Sequence, residues 1–367
     1  MTYRRRLLLS SAVLGIPLAI LISLACRSTP TPPASTHQPG APAPRAGDEI
    51  VVCGQMFHTG APVVLWTDPG GYDGYRTERR FASFEDASWE RTRELLTDGK
   101  GPTQPARYNL RYNPPATQPT TKSLLAGNSF NLNPAQLDRA RAGWSLDDLR
   151  PRVDQFVLHY DVAGTSRQCF KVLHDLRGLS VHFMLDLDGT IYQTLDLKER
   201  AWHATTSNTR SIGIEIAHMG AYPTPSKNAL DEWYAKPAGP DAWPTIRIPA
   251  RFGDGGLRNP AIPLRPARPE LISGPIHGRT YFQYDFTPQQ YDSLTKLTAT
   301  LCAVFPNLKC DYPRDAAGNL LTTRLPDDQL AAYQGVLGHF HVQDTKQDPG
   351  PAMQWDKLIT GARAILK

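Results

Sequence analysis

The chain has 367 residues, 40% of them hydrophobic, which is enough for one large domain or two ordinary ones with a sizeable core. Its 33 prolines exceed the usual ~5% and argue for long ordered loops or a linker, against a compact helical bundle. The formal charge of +5 includes Arg4, Arg5 and Arg6 at the extreme N-terminus, and with no nucleic-acid-binding motif present it does not indicate a nucleic-acid partner.

TYRRR followed by LLLSSAVLGIPLAILISLA reads as the basic and apolar regions of an export signal over residues 1–25. Small Ala25 precedes Cys26, so the segment resembles a bacterial lipoprotein signal, cleaved before Cys26 and lipidated on that thiol. It departs from the usual pattern in having Ser23, not Leu, three residues before the cysteine. A plain secretory signal and an uncleaved anchor helix are the alternatives, and all three readings agree on export. Residues 26–48 hold six prolines and no large apolar side chain after Cys26. They predict an extended tether reaching on the order of 60 Å. Cys53, Cys169, Cys302 and Cys310 remain. An even count in an oxidising compartment predicts disulfides, with Cys302–Cys310 and Cys53–Cys169 as the expected pairs. No C-x-x-C pair exists, which argues against a thiolate zinc site.

Residues 49–150 read as an N-terminal extension packed on the following domain. VVCGQMFHTGAPVVLWTDPGG predicts two short strands and a Pro-Gly turn. Ser83 with Asp86 predicts a capped helix to about Leu96, and Asn133-Pro134 starts another. From 151 the patterning is denser. QFVLHYDV alternates, placing Phe156 and Leu158 on one face and Val157 and His159 on the other. Phe170, Leu173 and Leu176 predict a helix stripe, with Gly178 as its C-terminal cap. SVHFMLDLDGTIYQTL predicts a hairpin around Asp188-Gly189. In SIGIEIAHM, Ile212, Ile214 and Ile216 share a face, so Glu215 points to the other. Residues 219–280 read as a long insertion. Thr287, Pro288 and Gln290 predict a capped helix with Tyr291, Leu294, Leu297, Leu301 and Phe305 as its stripe. Trp355, Leu358, Ile359, Ala362 and Ile365 predict the last helix. Strands and helices alternate, so the class is α/β or α+β.

One group of residues suggests chemistry. A catalytic zinc ion takes three protein ligands and keeps one position open. His159 at the end of a strand, with His339 and Asp348 nine residues apart, supplies a two-histidine, one-carboxylate set. Lys346 stands two residues before Asp348, placed to steady a developing oxyanion. Glu215 is a candidate general base. Each has a plainer reading: His159 as a satisfied core histidine, Lys346 and Asp348 as a surface ion pair, Glu215 as an exposed strand residue. His341 competes with His339. His182 reads as structural or substrate-facing, His174 and His218 as surface residues, and His58 carries no assignment.

The run from His159 to Trp355 resembles the zinc-dependent N-acetylmuramoyl-L-alanine amidases of the phage-lysozyme and peptidoglycan-recognition type. FVLHYDV, LSVHFMLDLDGTIYQTL, RAWHATTSN, SIGIEI, GHFHV and TKQDPGP carry the likeness, in the family's order. With the N-terminal signal, it is most similar to the outer-membrane lipoprotein branch. The resemblance implies a central mixed β-sheet flanked by helices over 151–367. It implies one Zn2+ ion on His159, His339 and Asp348, with Glu215 and Lys346 catalytic. It places Trp202, His203 and Asn208, with His182 as a further candidate, along the substrate groove. The implied reaction is hydrolysis of the amide between N-acetylmuramic acid and L-alanine in peptidoglycan or muropeptides. The implied setting is a lipid anchor on the outer membrane facing the periplasm. The chain departs from the family's frequent His-x-Thr, having His159-Tyr160-Asp161. A non-catalytic binding module of the same fold and another exported zinc hydrolase are the alternatives.

Overall fold

The computed structural model describes residues 45–75, 108–110, 145–235, 239 and 243–367. The expected export signal, Cys26, most of the tether and the helices expected at Ser83 and Asn133 lie outside the described residues. Among those described, no helix is long and apolar enough to cross a membrane.

The strands are β1 (Glu49–Val52), β2 (Gln55–His58), β3 (Val63–Leu65), β4 (Tyr108–Leu110), β5 (Gln155–Tyr160), β6 (Phe183–Leu185), β7 (Ile191–Gln193) and β8 (Glu199–Ala201). They continue with β9 (Ser211–Ile216), β10 (Tyr234–Ala235), β11 (Thr245–Ile246), β12 (Ile272–Ile276), β13 (Arg279–Gln283) and β14 (Gly335–Gly338). The α-helices are α1 (Leu146–Leu149), α2 (Ser166–Phe170), α3 (Ala229–Trp233), α4 (Pro288–Val304), α5 (Asp327–Ala332), α6 (His339–Val342) and α7 (Trp355–Ile365).

A six-stranded sheet runs in the order β14-β5-β9-β6-β7-β3. β14, β5, β9 and β6 are parallel, β7 returns antiparallel to β6, and β3 adds parallel to β7. The fold is therefore mixed α/β, a central mixed sheet with helices packed on it. β3 also shows that the segment at 49–65 makes three strands where two were expected.

The alternation in β5 and β9 sorts as the sequence predicts. Phe156, Leu158, Ile212, Ile214 and Ile216 join one large core with the stripe of α4 and the buried face of α7. α4 begins as its sequence dictates: Thr287 and Gln290 form a reciprocal cap and Pro288 takes the first turn, where its missing N–H costs nothing. The hairpin turns at Gly189, whose φ of +85° favours glycine.

Several expectations fail for physical reasons. Leu176 is 64% exposed, because α2 passes into a π-helical turn at Lys171–Leu176 whose wider period carries it off the stripe. Ile365 closes α7 beyond the edge of the core and is exposed. His174 and His218 are buried, not surface residues. His174 Nε2 donates to the Gly74 carbonyl, and His218 Nε2 to that of Tyr284. All four cysteines described are free thiols. Cys53 packs with the α4 core and Cys169 with a separate cluster around Phe170 and Met184, so they do not pair. Cys302 and Cys310 are neighbours, with their side chains within hydrogen-bonding reach, and the Cys310 thiol also meets the Ile359 carbonyl. The 219–280 stretch is more ordered than its weak periodicity suggests. It carries α3, the β10–β11 pair and β12, and its Trp233, Tyr234 and Ile246 form a small core together with Leu187, Ala217 and Tyr284.

Candidate metal centre and active-site cleft

Three neighbouring parallel strands aim their C-terminal ends at one place, where open α/β sheets bind ligands. His159 stands on β5 opposite Glu215 on β9. His339 follows directly on β14, as the first residue of α6. Here GHFHV turns helical. Asp348 comes from the loop after α6 and is held there by its own carbonyl, which accepts from Phe340 N at 3.1 Å. Gln283 on β13 fixes the turn that follows: its Nε2 donates to the Pro349 carbonyl, and its Oε1 accepts from Ala352 N.

Nδ1 of His159, Nδ1 of His339 and Oδ2 of Asp348 are each 2.9 Å from the other two. All three residues are buried. Two N–H protons cannot fill the three edges of such a triangle. Both imidazoles instead have a partner at Nε2. That of His159 meets His203 Nδ1 at 3.0 Å, and that of His339 meets Gln343 Oε1 at 2.7 Å. With the protons at Nε2, two nitrogen lone pairs and a carboxylate oxygen converge on one point. That is a donor set for a metal ion, and of a composition that zinc takes. Burial and the neighbouring His339 push His159 down to about 4, so it is neutral at pH 7. Burial alone would raise Asp348, but the two imidazoles hold it below the usual carboxylate range and keep it ionised.

His341 is not a ligand. Its Nδ1 accepts from Gly338 N at 2.9 Å and its Nε2 donates to the Leu321 carbonyl at 2.7 Å, so both nitrogens are already used.

The ligand set opens into a cleft of about 610 Å³, also lined by Glu215, Lys346, Trp202 and His203. Glu215 is only 9% exposed, and its Oε2 is buried with no hydrogen-bond partner among the described residues. Burial, then Asp348 and Asp161, push its carboxyl well above the ordinary range, while Lys346 and Arg177 oppose the rise. Lys346 is presented by a loop whose carbonyl at that residue accepts from His277 Nε2, on the β12–β13 turn. Glu215 and Asp348 are buried at this opening, so the plainer readings of an exposed strand residue and a surface ion pair do not describe them.

The groove residues divide. Trp202 lines the cleft with the Arg200 guanidinium 4.4 Å from its ring. His203 lines it too, and also backs His159. Asn208 turns inward: its Oδ1 accepts from His203 N and Ala204 N, so it shapes the loop and does not face a ligand. His182 is fully buried, accepting from Gly213 N and donating to the Glu199 carbonyl, and it does not reach the cleft.

Sequence reasoning passed over Gln343, Gln283 and Gly213. Gln343 lies four residues after His339, a spacing that brings side chains together on a helix. Gly213 is a glycine inside a strand, between Ile212 and Ile214, a signal of close approach by another group. A Cβ on it would come within 2.5 Å of His203 Nδ1. Gln283 has no local signal.

No curated protein has a matching sequence. Among solved structures, E. coli AmiD, in complex with the substrate anhydro-N-acetylmuramic acid-L-Ala-D-gamma-Glu-L-Lys, is similar at 19% identity and TM-score 0.32. That likeness covers 57% of this chain and 58% of AmiD, so the chain spans well under two thirds of that relative. AmpD is similar at 18% identity and TM-score 0.28, covering 59% of this chain and 88% of AmpD. The endolysin amidase LysCS of Clostridium intestinale is similar at 16% identity and TM-score 0.29, covering 59% and 86%. Residues 149–236, the segment that supplies His159, Trp202, His203 and Glu215, match the N-acetylmuramoyl-L-alanine amidase family.

Proposed function

We propose that the protein is a zinc-dependent N-acetylmuramoyl-L-alanine amidase acting on peptidoglycan or muropeptides. The observation that carries the reading is the buried triangle of His159, His339 and Asp348 beside an unpartnered Glu215 oxygen, in a chain whose 149–236 segment matches that family. His159, His339 and Asp348 would hold the ion. Zinc bound there would polarise the amide carbonyl and lower the pKa of a water toward ~7.

The chain's own groups do the rest. Glu215 Oε2 takes the proton of the attacking water and returns it to the leaving amine of L-alanine. A carboxyl raised by burial and held back by Lys346 suits both halves of that task. The Lys346 ammonium offsets charge developing on the carbonyl oxygen. Trp202 offers a flat face along the groove for the sugar. His203 and Gln343 orient the two ligand imidazoles and fix their tautomers.

The basic and apolar segment ending at Cys26 supports a lipid-anchored setting, on the outer membrane facing the periplasm, with residues 26–48 as the tether.

The test is to incubate the purified protein with a muramyl-tripeptide and identify products by mass spectrometry, with and without a zinc chelator. Free tripeptide and peptide-free sugar, lost with chelator and restored by zinc, is the expected result. Intact substrate that stays bound would replace the enzyme with a binding module. A cut within the peptide would move the chemistry to another bond.

A further inference from the structure

We propose that the cleft continues past Arg251 and Phe252 into a second subsite that binds a carboxylate on the distal part of the stem peptide. The inference rests on the amidase reading above. A second concavity, of about 520 Å³, adjoins the first, and Gln168, Arg251 and Phe252 line both. The two are one groove crossed by a ridge. The walls of the outer part come from three segments: Tyr72 in the N-terminal extension, α2 with the π-turn that follows it, and the 219–280 insertion. The first and last lie outside the 149–236 segment that matches the amidase family.

The ridge is held in place. Arg167 donates to the Phe252 carbonyl at 2.6 Å and pairs with Asp254 at 3.0 Å. Arg251 pairs with both carboxylate oxygens of Glu232 and lies 4.7 Å from the Phe252 ring centre. Those guanidinium groups are committed to the protein. Lys171 is not. It stands four residues after Arg167, is exposed, lines the outer part, and has no acidic partner among the described residues. Two carboxylates share this wall: Asp175 faces His174 Nδ1, and Asp73 accepts from Tyr75 N. Tyr72 stacks on Phe170 at 5.3 Å, and its ring centre lies 4.3 Å from that of Tyr192. The result is an aromatic floor beside one uncommitted cation.

That chemistry selects between the halves of the substrate. The lactyl carboxyl of the sugar is consumed in the scissile amide, so beyond that bond only the peptide bears carboxylates. The inner cleft has the volume of a site for one small ligand, so a longer stem must leave it. The outer part is the continuation that offers a positive charge.

The experiment uses the full chain loaded with zinc and two muramyl peptides of equal length, one ending in a free carboxyl and one in its amide. Lys171→Ala is expected to raise KM for the free acid about fivefold and leave KM for the amide within about twofold, with kcat steady on both. Lys171→Arg is expected to restore the parent values. Equal changes on both substrates, or none, overturn the subsite while cleavage itself still supports the amidase. Failure of the parent to cleave either peptide overturns the amidase reading and the subsite with it.

Discussion

His203 Nδ1 lies 3.0 Å from Nε2 of His159, and the His203 ring fills the space that a side chain on Gly213 would need. His203 Nε2 in turn meets Ser211 Oγ at 3.2 Å. A line of hydrogen bonds thus runs from the strand β9 to the His159 imidazole of the donor triangle, and it exists because one residue of β9 has no side chain.

Gly213→Ala is expected to displace His203 and loosen His159. Outer partners of ligand histidines are typically worth ~10–100-fold in metal affinity. Zinc affinity, measured by chelator competition, should fall within that range while the protein stays folded. Unchanged affinity would remove His203 from any role in orienting the ligand.

Asp348→Ala and His159→Ala are expected to lose zinc and activity together, read by metal content and peptide release. Zinc retained at full stoichiometry in Asp348→Ala would overturn the ligand set. His341→Ala, by contrast, should destabilise the fold with zinc still binding, because both its nitrogens serve backbone groups.

Glu215→Gln is expected to keep zinc and lower kcat by roughly 10²–10⁴. Lys346→Ala should also keep zinc, with kcat down by about 10²–10³ if the ammonium acts on the oxyanion. A loss confined to KM in Lys346→Ala would reassign it to ground-state binding.

Buried histidines contribute a loss of stability in acid. Burial holds His218 down to about 4 and His341 to about 3, against an ordinary value of 6.5. Between roughly pH 6.5 and 4 the unfolded chain binds protons that the folded chain does not. Each histidine therefore lowers stability as pH falls through that window, by up to about 1.4 kcal/mol per pH unit, while Asp161 and Asp186, raised by burial to about 7 and 8, act in the opposite sense. Urea midpoints measured from pH 7 to 4.5 on the parent and on His218→Gln isolate one of these contributions: the two slopes should differ by one proton's worth. An unchanged slope in that variant would mean His218 does not contribute.

Short-range order was legible in the residues alone. The period of two in β5 and β9 assigns Glu215 and His159 to the face opposite Phe156 and Ile214, because a buried sheet face tolerates only apolar neighbours. The Thr287 cap and the stripe of α4 follow from hydrogen-bonding and helical spacing within one turn. The GHFHV and TKQDPGP segments point to His339 and Asp348 through their family likeness. Which histidine joins the donor triangle, and which merely packs, is decided by tertiary structure. His339 and His341 lie two residues apart, and only the landing of β14 beside β5 turns one toward His159 and the other toward Leu321. The same holds for His182, just before β6, and for His203, between β8 and β9: their packing against β9 decides that His203 meets His159 while His182 meets the Glu199 carbonyl. Local sequence encodes which side of a strand faces the core. It does not encode which distant strand will lie alongside, and the donor triangle is built from two strands and a loop that meet only when the sheet closes.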